Sequence, residues 1–134
     1  MINKKKFYIN GEWINPHIPN DLEVINPSNE ETCAIISLGG INDTNAAVAA
    51  SKESFISWWN KSKEKKLELL NNLLKIYLKR SNEMAEAISI EMGAPIDWAT
   101  EEQSKSGEEH IKNFIKIYSE FNSEKYYNKK VCSY

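Results

Sequence analysis

Arginine is almost missing from this sequence: Arg80 is the only one among 17 basic residues. A site that grips phosphate or carboxylate through paired guanidinium contacts would have to rest on that single side chain. An arginine-based anion clamp is therefore not expected. Cysteine is nearly as scarce. Cys33 and Cys132 form no CxxC pair, which argues against a disulfide framework or a zinc site and fits a reducing compartment. The five glycines include no glycine-rich phosphate loop. No apolar run approaches the ~18 residues that span a bilayer. The charged start, Met1 to Lys6, is not followed by an apolar stretch of signal-peptide length. The net charge of -2 implies neither nucleic acid nor a membrane surface as partner. The expectation is a soluble cytoplasmic protein.

With 134 residues, the chain is one domain or part of one. A hydrophobic fraction of 41% beside a charged fraction of 27% is ordinary for a globular chain. Phe7 to Ile14 reads as a β-hairpin around Asn10-Gly11, because both turn positions tolerate positive φ. Pro16 and Pro19 then enforce a loop. Glu23 to Asn26 is a second extended run, and Pro27 to Glu30 is a turn, with Pro27 setting φ and Asn29 tolerating the left-handed region. Thr32 to Leu38 is a third strand, ended by Gly39-Gly40.

From Asn42 the apolar spacing changes to the helical period. Asn42 or Asp43 is the expected N-cap, and Val48, Ser51, Phe55 and Trp58 or Trp59 share a face. Ser62 caps a second helix whose broad apolar face includes Leu67, Leu70, Leu74, Tyr77 and Leu78. A third covers Glu83 to Glu91, with Met84, Ile88 and Ala87 expected inward. Gly93 followed by Pro95 stops it. A fourth helix runs from about Ile96 to Phe121, weakened at Gly107, with Ile111, Phe114, Ile115 and Tyr118 as its apolar stripe. Beyond Asn122 an irregular segment is expected. The fold class is α+β: three short strands, then about four helices.

Each residue with reactive chemistry has a plainer reading. Cys132 is a potential nucleophile, but no base or oxyanion donor is assignable beside it, and a reactive thiol needs a setting that stabilises the thiolate. Cys33 reads as a small core residue. His17 and His110 lack the further ligands a metal needs. Glu101, Glu102, Glu108 and Glu109 read as a solvated face offset by Lys105 and Lys112. Trp58 and Trp59 read as packing rather than as a stacking platform, and Lys63, Lys65 and Lys66 as surface interrupted by Glu64 and Glu68. No catalytic, cofactor-binding or metal residue is assigned.

Four motifs in order carry a family resemblance. "FYINGEW" (Phe7 to Trp13) is followed by "EVINPSNEE" (Glu23 to Glu31), by "NDTNAAVAASKESFISWW" (Asn42 to Trp59), and by a leucine-rich helix leading to "EMGAPI" (Glu91 to Ile96). Together they resemble the N-terminal part of the aldehyde dehydrogenase superfamily. The resemblance implies that this chain is part of a Rossmann-like NAD(P)-binding domain, with no complete domain boundary within residues 1–134. It implies for the full-length family oxidation of an aldehyde to a carboxylate. A cysteine thiolate forms a thioester, hydride passes to NAD or NADP, and water hydrolyses the thioester. The family is homo-oligomeric.

The "PWN" segment, the glycine-rich cofactor turn and the Gly-x-Cys nucleophile of that family do not occur in this sequence. The chain alone is therefore expected to bind no cofactor and to be inactive, as an N-terminal fragment. It is expected to be marginally stable and to self-associate through exposed apolar helix faces. The alternative is a non-catalytic binding or structural subunit that docks on a chain supplying those motifs. A third reading is an unrelated helical interaction protein.

Overall fold

Three consecutive lysines, Lys4 to Lys6, obscure the first strand. In the computed structural model, which describes residues 2–122, 124–127 and 130–133, β1 (Ile2–Lys4) lies parallel to β5 (Glu31–Ser37), pairing Ile2 with Ala34 and Lys4 with Ile36. β2 (Phe7–Ile9) and β3 (Glu12–Ile14) form the expected hairpin. Asn10 and Gly11 both have positive φ, 52° and 82°, which matches the strand twist across a two-residue turn. Tyr8 and Trp13 face each other across it with ring centroids 5.3 Å apart.

β4 (Asp21–Asn26) pairs antiparallel with β5, giving a mixed sheet in the order β1-β5-β4. β5 is central, which explains its nearly unbroken apolar run. The register shifts between Val24 and Ile25, leaving Cys33 without a partner across the ladder. This bulge leaves the Cys33 thiol half-buried and donating to the Val24 carbonyl at 3.2 Å. The expected turn lies before β5, and in it Glu30 rather than the tolerant Asn29 takes the positive φ, 60°. Asn29 instead uses its side-chain oxygen to accept the Glu31 N–H at 3.1 Å, while Asn26 accepts from Ser28.

α1 (Ile41–Trp59) has Gly40 as its N-cap, two residues before Asn42 and three before Asp43, the expected caps. Asp43 sits in the first turn rather than at the cap. α2 (Lys63–Lys79) is capped by Ser62, whose hydroxyl accepts the Lys65 N–H at 3.3 Å. α3 (Ser81–Met92) ends at Gly93 in the left-handed conformation, φ 67°. The expected fourth helix is a composite: α4 (Ile96–Trp98), a π-helical segment (Ala99–Ser104) and α5 (Lys105–Glu120). Beyond it, where an irregular segment was expected, β6 (Glu124–Tyr127) pairs antiparallel with β7 (Lys130–Ser133). The fold is α+β, with more strands than expected.

α3 packs on the π segment and over β4, and α2 packs on α5. The apolar residues that the described chain buries are all alanines: Ala34, Ala85 and Ala99. Ala85 and Ala99 let α3 and the π segment approach closely. Met84 and Ala87, expected inward, point outward, because Ala85 takes the buried position on α3. The stripe on α1 is also exposed: Val48, Phe55 and Trp59 are 47%, 56% and 69% accessible. So are Leu73, Ile76 and Leu78 on α2 and Phe114 on α5. The chain exposes 10694 Å², whereas a folded monomer of 15.4 kDa is expected to expose about 7200 Å². The excess is about 3500 Å² of polar and apolar surface together.

Candidate functional site

The junction of β5 with α1 is the strand–glycine–helix arrangement in which a dinucleotide phosphate is most naturally sought. Here a carboxylate already stands at the helix start. The Asp43 carboxylate accepts the Gly40 N–H and the His17 N–H, each at 2.8 Å. Asp43 is buried although charged. The Gly40 hydrogen bond first, and the His17 hydrogen bond next, hold its carboxyl below the ordinary range, outweighing its desolvation. Asp43 bonds the N-cap amide of Gly40 and a loop amide, and its negative charge at the helix start repels that of a phosphate. The described residues at this turn do not fit a pyrophosphate. Asp43 instead ties the loop before β4 to the start of α1.

A second node joins α2 to α5. The Tyr77 hydroxyl donates to the Ser104 carbonyl at 2.6 Å, and the Ser104 hydroxyl donates to the Ser81 carbonyl at 3.0 Å. Ser104 is thus buried with its hydroxyl and carbonyl both bonded. The helices meet here because Gly107 has no side chain. A Cβ there would collide with the Tyr77 hydroxyl and lie 2.9 Å from its Cζ. Gly107 therefore permits close packing, which is more specific than the weakening expected from its helix propensity.

The ends of α1, α2 and α5 enclose an open cleft of about 640 Å³, lined by Trp59, Lys63, Lys66, Tyr118 and Phe121 among others. The Lys63 ammonium lies 5.9 Å from the Tyr118 ring centre and donates to the Phe121 carbonyl at 2.8 Å. The Lys66 ammonium lies 5.9 Å from each of the Trp58 and Trp59 rings and donates to the Trp59 carbonyl at 3.2 Å. Two lysines from the first turn of α2 thus cap the carbonyl ends of its two neighbours, where the helix dipole favours cations.

The other residues with reactive chemistry are dispersed. His17 and His110 are exposed on separate elements, and among the described residues no three His, Cys, Asp or Glu side chains converge as metal ligands. Glu108 pairs with Lys112, Lys65 with Glu68, and Arg80 with Glu83. Glu83 is held below the ordinary carboxylate range by its hydrogen bond to Arg80, which is correspondingly raised. Trp58 and Trp59, read as packing residues, are exposed in this chain. Cys132 lies in β7, and its side chain is outside the described set. Among the described residues no helix is long and apolar enough to cross a membrane.

A model of the aldehyde dehydrogenase family matches residues 13–133. The 3-succinoylsemialdehyde-pyridine dehydrogenase of a Pseudomonas species is 38% identical over 96 residues, 72% of this chain and 20% of that protein. A crystal structure of aldehyde dehydrogenase from Bartonella henselae superposes with a TM-score of 0.92 at 50% identity, covering 93% of this chain and 26% of that one. A mutant of aldehyde dehydrogenase C from Pseudomonas syringae, complexed with NAD+ and octanal, superposes with a TM-score of 0.90 at 31% identity, covering 92% and 26%. The strands and helices described above match the N-terminal portion of the Rossmann-like domain in that fold. The chain spans between 20% and 26% of the length of these proteins.

Proposed function

The chain belongs to the aldehyde dehydrogenase family, and from that we propose that its 134 residues supply the outer scaffold of an NAD(P)-dependent aldehyde dehydrogenase, not its chemistry. The observation that supports this reading is the set of large apolar side chains left exposed on the helices, among them Val48, Phe55 and Trp59 on α1, Leu73, Ile76 and Leu78 on α2, and Phe114 on α5. Apolar side chains uncovered on α1, α2 and α5 fit helices that lie against a sheet lying outside these residues. In the whole enzyme the reaction is that of the family: aldehyde, water and NAD or NADP give carboxylate and reduced cofactor through a cysteine thioester. The expected setting is the cytoplasm, and the expected assembly a homo-oligomer.

On this reading the 134-residue chain alone neither binds the cofactor nor turns over aldehyde. Asp43 places a negative charge at the start of α1, and the sequence has no Gly-x-Cys nucleophile. Alone, the chain self-associates through the uncovered helix faces. The test is reduced-cofactor formation by the purified chain with NAD+ or NADP+ and a simple aldehyde. No turnover is expected, and thiol-dependent turnover would refute the proposal. Mixing with a separately produced chain that carries the "PWN" and Gly-x-Cys segments extends the test. Restored activity there favours a docking subunit; none favours scaffolding that works only within a continuous polypeptide.

A further inference from the structure

We draw no further inference here: the strongest candidate, the lysine- and aromatic-lined cleft between the ends of α1, α2 and α5, carries nothing because both ammonium groups already cap helix carbonyls and nothing in the structure shows what covers it.

Discussion

Replacing Gly107 with alanine sets two effects of opposite sign against each other. Inside a helix the change should stabilise by about 1 kcal/mol, because alanine loses less backbone entropy than glycine. Against that, the new Cβ would overlap the Tyr77 hydroxyl and lie 2.9 Å from Cζ, an overpacking that costs about 1–3 kcal/mol. The ring has little freedom to retreat, because its hydroxyl is bonded to the buried Ser104 residue through the carbonyl at 2.6 Å. Breaking that bond costs a further ~0.5–1.5 kcal/mol. Gly107→Ala should therefore destabilise by about 1–3 kcal/mol, each kcal/mol appearing as about 2–8 °C in Tm for domains near this size. Urea unfolding followed by circular dichroism, at a concentration low enough to limit association, reads the change. Ser106→Ala, at an exposed neighbouring position, serves as the control and should be neutral or slightly stabilising. In a Tyr77→Ala background, Gly107→Ala should reverse sign and stabilise. If the single substitution stabilises by the full propensity gain, α2 and α5 do not approach at Gly107 and the packing argument is wrong.

Gly93→Ala should cost about 2–4 kcal/mol: about 1–2 for a left-handed residue with a Cβ, and more because that Cβ would sit 2.9 Å from Pro27 Cγ and 3.2 Å from the Ser28 nitrogen. Gly11→Ala, with positive φ but nothing within 4 Å, should show only the first part, about 1–2 kcal/mol; equal losses in paired thermal melts would contradict the contact with Pro27. Asp43 has a carboxyl held below its unfolded value of about 3.9, so its stabilisation is present above that pH and is lost as pH falls through the lower folded value. Asp43→Asn should lower stability at neutral pH and flatten its fall in acid, which urea midpoints across pH would show. Substituting Phe55 and Trp59, both exposed on α1, with serine should reduce self-association in sedimentation velocity while leaving the far-ultraviolet spectrum unchanged; undiminished association would place the sticky surface elsewhere.

Local chemistry made much of this fold readable. The Asn10-Gly11 turn, the Ser62 cap and the Gly93 stop each depend on one or two residues with specific backbone or hydrogen-bonding abilities. Two of the sequence motifs also meet in space: Gly93 of "EMGAP" lies against Pro27 of "INP", so the absence of a Cβ in one accommodates the ring of the other. What escaped the sequence was set by distant partners. β1 has one apolar residue, Ile2, and owes its strand to pairing with β5 some thirty positions away. The β6–β7 hairpin had local signal in Tyr126, Tyr127 and Val131, but the surrounding lysines masked it. The Asp43 node was half legible. An acidic residue near the helix start was expected to cap, but its second bond, to the His17 N–H, crosses the intervening loop and β4 and β5. Periodicity picked out apolar stripes on the helices, misplaced the buried position on α3, where Ala85 is buried, and could not say whether anything within the chain covers the rest. On α1 little does, because the cover lies outside these residues on the proposed reading.

Isothermal titration of the purified chain with NAD+ and with NADP+ tests the central claim most directly. Scaffolding whose β5–α1 turn carries its own carboxylate should give no saturable heat with either cofactor. A one-to-one isotherm that retains its affinity at raised salt would show that these residues grip the dinucleotide themselves, and would contradict the account.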